Sequence, residues 1–196
     1  PGSTGSGGPW VKAEESMQHL VASAVDVSGG TTFDAVLPLP EPRKPYFGED
    51  GLPTELLQAR QRFYADVAVL AVPKTPEDAR IPDIDEKALY LRHPYTSYPN
   101  VKPYLPAPAT FPETPPEAAI PKQNVIDLTS RLQSDGRLIW DAPPGEWMIL
   151  RFGRRNTGAN TRPAPQPGLG FESDKFDPAA LDAHFDFFIG SLLRTI

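Results

Sequence analysis

Few residues in this chain combine the type and the spacing that chemistry needs. Thiolate catalysis and cysteine-based zinc sites are excluded, because there is no cysteine. His19 has no metal-ligand partner one helical turn away and reads as a packed or solvated histidine. A serine nucleophile would need Ser3 or Ser6 beside His19 or His184. The opening PGSTGSGG, however, has neither the G-x-S-x-G spacing of a nucleophile elbow nor the Lys of a phosphate loop. Asp66 has the chemistry of a general acid. A lone carboxylate in the apolar run Phe63 to Val72 reads first as turned to solvent or hydrogen-bonded. Tyr90, Tyr95, Tyr98, Tyr104 and Phe111 could stack on sugar rings, although packing over a sheet is the default use of such aromatics.

The elements that must position these groups are short. The 25 prolines among 196 residues leave room for few long helices. The net charge of −6, with both signs mixed along the chain, argues against a nucleic-acid partner. No apolar run reaches the roughly 18 residues of a membrane span, and no secretory signal is visible. A start at Pro1 without Met reads as that of a cut or processed piece.

Lys12 to Leu20 predicts a helix of about two turns, from the spacing of Met17, Leu20 and Val21. Val21 to Leu39 alternates, with Gly29-Gly30 as a turn between two strands. Thr54 to Ala59 suggests a helical turn, and Phe63 to Val72 a buried strand closed by Pro73. Lys74 to Gln123 suggests extended proline-rich segments laid over a sheet. Val125 to Gly158 carries the densest signals. Arg137 to Asp141 and Glu146 to Gly153 read as strands around Pro143-Pro144-Gly145, the last hairpin of the β region. Trp147, Ile149 and Arg151 fall on one face, and Met148, Leu150 and Phe152 on the other, so the sheet is expected to be covered on both sides. Asp177 and Pro178 open a helix whose stripe is Leu181, Phe185, Phe188 and Leu192, widened by Ile189 and Leu193. So wide a stripe implies a partner surface beyond Ile196.

Several of these blocks resemble the α-L-rhamnosidases of glycoside hydrolase family 106. They are Gly7-Gly8-Pro9-Trp10-Val11 with Met17-Gln18, and Phe63-Tyr64-x-Asp66-Val67-Ala68-Val69-Leu70-Ala71. A third runs from Asp127-Leu128-Thr129 through Asp135-Gly136-Arg137-Leu138, Trp140-Asp141, Trp147 and Arg151-Phe152-Gly153 to Asp182-Ala183-His184-Phe185-Asp186. The resemblance implies a mainly β chain, an antiparallel β-sandwich-like domain flanked by short helical pieces of a (β/α)8 barrel. Residues 1–20 would be a barrel-derived glycine-rich loop and short helix, 21–160 the insertion, and 161–196 a return loop and barrel helix. It implies hydrolysis of terminal α-L-rhamnosides with inversion, by two glutamates that match nothing here, so that the segment alone would be inactive. It also implies a Ca2+ ion with ligands outside this chain, a rhamnose-containing carbohydrate and the remainder of the parent enzyme as partners, and a periplasmic or secreted bacterial location.

The resemblance further implies that Glu172, Asp174 and Lys175, which fill the family's E-x-D-K block before the last helix, reach the substrate. Trp10 with its glycine loop would form a sugar-stacking wall. The other reading of Asp174 and Lys175 is local pairing and capping of the helix. Thr161-Arg162 and Arg154 stand where many members carry Asn-His and His. A non-catalytic carbohydrate-binding or scaffold sandwich is the alternative function.

Overall fold

The computed structural model describes residues 7–43, 52–76, 113–161 and 164–196. It is mainly β, and every strand pair is antiparallel. The strands are β1 (Gly7–Gly8), β2 (Gln18–Ser28), β3 (Thr32–Val36), β4 (Ala65–Pro73), β5 (Ile126–Asp127), β6 (Arg137–Asp141), β7 (Glu146–Asn156) and β8 (Phe171–Glu172). The α-helices are α1 (Thr54–Arg62) and α2 (Pro178–Thr195). A four-stranded sheet runs β2-β7-β4-β5, and two-stranded sheets are made by β3-β6 and β1-β8.

The main core lies between the four-stranded sheet and the β3-β6 pair. Val27, Val69, Ala71 and Ile149 come from the first, Leu138 and Trp140 from β6, and Leu37, Leu128 and Ala142 from the connections. That is the sandwich arrangement expected from the sequence. Period-two patterning produces it. Val21 and Val27 of β2 are buried, while Ala22, Ala24 and Asp26 between them are exposed.

Three local expectations are corrected. The helix expected over Lys12 to Leu20 is a single 3-10 turn, Ala13–Glu15, after which Gln18 to Leu20 already belong to β2. Pairing with Arg154, Arg155 and Asn156 of β7 overrides the helical spacing of Met17 and Leu20. The strands on either side of Gly29-Gly30 do not pair with each other: β2 pairs with β7 and β3 with β6. For the same reason β6 and β7 are not a hairpin.

Both connections cross between sheets at one corner. Gly29 N donates to Gly145 O at 2.7 Å, and Gly30 N to Ala142 O at 2.8 Å. A Cβ on Gly29 would lie 1.8 Å from Pro143 O, so only glycine permits that approach. Trp147 Nε1 donates to Pro143 O at 2.9 Å and its ring meets Trp140 edge-on, which closes the corner.

The inner face of β7 changes character along its length. Trp147 and Ile149 serve the core, and Arg151, Gly153 and Arg155 follow on the same face. Tyr64 lies over Gly153, where a Cβ would come 2.3 Å from its ring. The Arg151 and Arg155 guanidinium carbons stand 5.3 and 4.9 Å from the Tyr64 centroid. Arg151 forks onto both oxygens of Asp66 at 2.8 and 2.9 Å and donates to Leu37 O. Arg155 donates to Pro40 O, Gln61 O and Phe63 O. The arginines therefore bind the segment after β3 and the end of α1 to the central strand.

The residue stripe expected for α2 is only partly used. Asp177 caps the helix through Ala179 N at 3.0 Å with Pro178 at the first helical position. The buried side is Ala180 with half-buried His184, Phe188 and Ile189, whereas Leu181, Phe185, Leu192 and Leu193 are exposed. No helix among the described residues is long and apolar enough to cross a membrane.

The Arg151–Asp66 pair differs sharply in exposure, with 6% of the arginine side chain and 39% of the aspartate open to solvent. Asp66→Asn leaves a buried guanidinium with a neutral partner. We expect it to cost about 1–2 kcal/mol in urea unfolding, discounted for the open side of Asp66. Arg137→Ala, at the exposed pair with Asp34, should move the urea midpoint less than Asp66→Asn does. The Arg151 hydrogen bonds hold Asp66 below its usual 3.8. Their contribution is therefore present above that value and lost as pH falls through the lowered one. Acid unfolding of the Asp66→Asn variant should lack that component.

Candidate functional site

The candidate residues gather around β8. This two-residue strand is fixed by backbone bonds on several sides. Gly7 and Gly8 pair with Glu172 and Phe171, and Asn160 forms a bridge to Phe171. Glu172 N donates to Ala159 O at 3.0 Å, Glu172 O accepts from Met17 N at 2.9 Å, and Asp174 N donates to Glu15 O at 2.9 Å. So many backbones meet only because glycines leave room. A Cβ on Gly7, whose φ is +152°, would sit 2.1 Å from Phe171 O, and one on Gly170 would sit 2.0 Å from the Gly8 carbonyl carbon.

A buried polar knot supports the strand from below. Asn156 Nδ2 donates to Ser16 Oγ, Ser16 Oγ donates to Ala13 O at 2.6 Å, and Gly158 N donates to Asn156 Oδ1 at 2.6 Å. Thr161 Oγ1 donates to Gly168 O at 3.0 Å and accepts from Gly170 N at 3.1 Å, which closes the loop before β8. Thr161 has no exposed surface, so this departure from the family pattern acts on the loop and does not touch a ligand. Arg154 is exposed on the outer face of β7, opposite Arg151 and Arg155. Arg162 lies outside the described residues.

Glu172 and Lys175 come together: Lys175 Nζ donates to Glu172 Oε2 at 2.9 Å, with 17% of the glutamate side chain exposed. Asp174 does something different. Its Oδ1 accepts from Phe176 N at 3.0 Å, and its carbonyl accepts from Asp177 N at 3.2 Å, so it shapes the turn into α2. Asp174 and Lys175 do not pair with each other: Lys175 bonds Glu172, Asp174 holds the turn, and Asp177 caps the helix.

Trp10 packs where a sugar wall was expected. A Cβ on Gly8 would fall 2.6 Å from two atoms of its six-membered ring. Phe187, Phe188 and His184 stack against the indole at centroid distances of 6.1, 6.1 and 5.8 Å. Its Nε1 donates to His184 Nδ1 at 3.1 Å.

His184 enters the sequence reading as a conceivable partner of a serine and as one residue of the family-like Asp182 to Asp186 block, with no role of its own, and the structure gives it this place. It shares a helix face with Ala180 and Phe188, at i−4 and i+4. That spacing is visible in the residues, but the larger side chains at 181 and 185 draw the stripe elsewhere. Burial lowers the His184 pKa below its usual 6.5, and the neighbouring Glu172 carboxylate works in the opposite direction.

The other candidates fall away from β8. Asp66 accepts from Tyr64 OH at 2.6 Å and from Arg151, which keeps it ionised and unfit as an acid. Burial and Asp66 push the Tyr64 phenol up to about 12, so it remains protonated. An open groove of about 630 Å³ runs beside Tyr64, Asp66, Arg151, Asp135 and Leu37. Its Asp66, Arg151 and Tyr64 polar groups already satisfy one another, so it is not the candidate site. His19 stands half-buried in β2, its pKa lowered by burial and by the charges of Arg43 and Arg60. Ser3, Ser6, Tyr90, Tyr95, Tyr98, Tyr104 and Phe111 lie outside the described residues. Among the described residues no three His, Asp or Glu side chains converge, so these residues do not fit a calcium cage.

Comparison with known proteins gives a consistent family. The sequence model of glycoside hydrolase family 106, described as alpha-L-rhamnosidase, matches residues 1–196. A putative beta-glucuronidase of Formosa agariphila is 36% identical over 195 residues, which cover 100% of this chain and 14% of that relative. A solved rhamnosidase structure from Novosphingobium sp. PP1Y superposes with a TM-score of 0.60 at 20% identity, covering 94% of this chain and 28% of that one. The chain thus spans a small part of the proteins it matches.

Two outcomes test this geometry. Gly170→Ala must push the Gly8 and Gly170 backbones apart. It should lower stability by about 1–3 kcal/mol in thermal or urea unfolding. The Trp10–His184 contact requires an unprotonated Nδ1. Because the folded pKa of His184 is lowered, its contribution is present above 6.5 and lost as pH falls through the lowered value. His19 shifts the same way. The difference in melting temperature between the wild type and His184→Phe, followed from pH 8 to pH 5, should therefore shrink on acidification.

Proposed function

Because the chain belongs to the alpha-L-rhamnosidase family of glycoside hydrolases, family 106, we propose that it is a segment of a larger hydrolase that removes terminal α-L-rhamnose with inversion. In this reading the segment builds one wall of the sugar site. The observation that carries it is the family match along the whole chain, joined to a fold shared with a solved rhamnosidase.

The local chemistry suits binding. Glu172 has one oxygen on the Lys175 ammonium. A carboxylate only accepts, and the lone pairs left over face hydroxyl donors well. Inversion needs an acid and a base roughly 6.5–9.5 Å apart with a water between them. The proposal assigns both glutamates, and the ligands of the calcium ion that the family resemblance implies, to the remainder of the enzyme. Glu172 and Lys175 then orient the sugar, Asp174 sets the turn that aims them, and Trp10 backs the wall from within. The same remainder covers the exposed apolar side of α2 and the fully open Phe176. In this architecture β8 and α2 are pieces of a (β/α)8 barrel interrupted by the sandwich, and the parent enzyme works in the periplasm or outside the cell.

A second reading, hydrolysis of uronosides, draws on the glucuronidase name of the Formosa relative and on the half-exposed ammonium of Lys175, which can pair with a carboxylate.

The test is kinetic. The full-length enzyme should turn over an aryl α-L-rhamnoside, and residues 1–196 alone should not. Glu172→Gln in the full-length enzyme should lower kcat/KM about 10–100-fold, the range for losing a charge-assisted hydrogen bond. Preferred turnover of an aryl glucuronide would establish the second reading. Binding of rhamnose by the isolated chain in calorimetry, unchanged by Glu172→Gln, would instead make it a non-catalytic carbohydrate-binding module.

A further inference from the structure

We propose that His184 is a sugar-binding residue: Trp10 fixes its tautomer, and the resulting Nε2–H donates to a hydroxyl that also meets Glu172. This deepens the rhamnosidase reading and rests on it for the identity of the sugar.

An indole N–H only donates. That of Trp10 points at His184 Nδ1 from 3.1 Å, so Nδ1 presents a lone pair. In a neutral imidazole the proton then sits on Nε2. Burial favours that neutral form. The ring plane is fixed as well, lying parallel to Phe188 with centroids 6.0 Å apart and against Trp10 at 5.8 Å. Among the described residues, Trp10 is the one hydrogen-bond partner of His184. The Nε2–H is thus an oriented donor that the described residues leave unused.

The charged neighbour is Glu172 of β8, which carries Lys175 on one oxygen. Among the described residues of the glycine loop the one packed on His184 is the uncharged Trp10, and Asp182 and Asp186 of the same helix are exposed. A donor on His184 and an acceptor on Glu172, close enough for the carboxylate to act on the imidazole, suit a group that both accepts and donates, and a sugar hydroxyl does both. Water competes for the same pair but gains nothing from a fixed ring. A bound ammonium or carboxylate would leave one of the two partners facing a like group.

Two variants of the full-length enzyme separate binding from helix docking. His184→Asn places an acceptor near the Nδ1 position and removes the far donor. His184→Gln reaches the Nε2 position with an amide N–H and gives up the near acceptor. With an aryl α-L-rhamnoside, His184→Asn should raise KM and lower kcat/KM about tenfold, the size of one neutral hydrogen bond, and His184→Gln should recover most of it. Wild-type kinetics in Asn with loss in Gln would show a role in docking α2 alone and overturn the proposal.

A second measurement does not depend on turnover or on a variant folding. In 15N-histidine-labelled unmutated enzyme, the His184 nitrogens should report a protonated Nε2, and that nitrogen should shift on titration with rhamnose. A protonated Nδ1, or resonances indifferent to rhamnose, would overturn the proposal. If the unmutated enzyme does not hydrolyse the rhamnoside, the rhamnosidase reading fails separately, and the titration still decides whether His184 meets the sugar.

Discussion

Each of the 25 prolines removes a backbone N–H and leaves its carbonyl behind. A chain built this way has more acceptors than its own amides can fill, and buried carbonyls must still be paired. Side chains make up the difference. Arg155 donates to three carbonyls, Arg151 to Leu37 O, Arg60 to Arg43 O, Trp147 to Pro143 O, and Ser23 to Pro38 O. Guanidinium groups suit the task because they carry five donors and no acceptor. Tyr64 is what allows two of them to lie buried on one strand. Its ring sits against both cations, while its hydroxyl and Arg151 share the Asp66 carboxylate.

The sandwich and the β8 cluster meet through β7. Its first half is the centre of the apolar core, its middle holds the arginine pair, and its last residue, Asn156, enters the polar knot with Ser16. One strand thus passes from packing to the candidate site without a break. This continuity gives the sandwich a role in placing Glu172, although the two are far apart in sequence. The glycines at 7, 8 and 170 complete the link, since they let β8 sit against backbone on several sides at once.

Much of this was legible in the residues. Asp177 and Pro178 announced α2, and the alternation at Trp147, Ile149 and Arg151 marked the inner face of β7 correctly. The apolar run after Tyr64 marked β4, and Thr54 to Ala59 most of α1. What failed was partnership. A Gly-Gly turn or a Pro-Pro-Gly turn looks the same whether its strands pair or part, because the choice is made by a contact such as Gly29 N to Gly145 O, far away along the chain. Met17 and Leu20 misled for a similar reason, since what recruits them, Thr157 and Glu172 for Met17 and β7 for Leu20, is equally remote. For the candidate site, Glu172 and Lys175 were named through the family resemblance, and their pairing was not foreseen. His184 was hidden because a small neighbour, Ala180, marks the docked side of α2, while many of the bulky residues face outward.

The arginine bonds also bear on how this sequence can drift. Arg155 reads the carbonyls of Gln61 and Phe63 and Arg60 reads that of Arg43, and a carbonyl is the same whatever side chain its residue carries. Exposed Gln61 is therefore free to vary so long as its backbone stays in place. The burden of inheritance falls on the donors: a lineage can exchange the side chain at position 61 more readily than the guanidinium at 155.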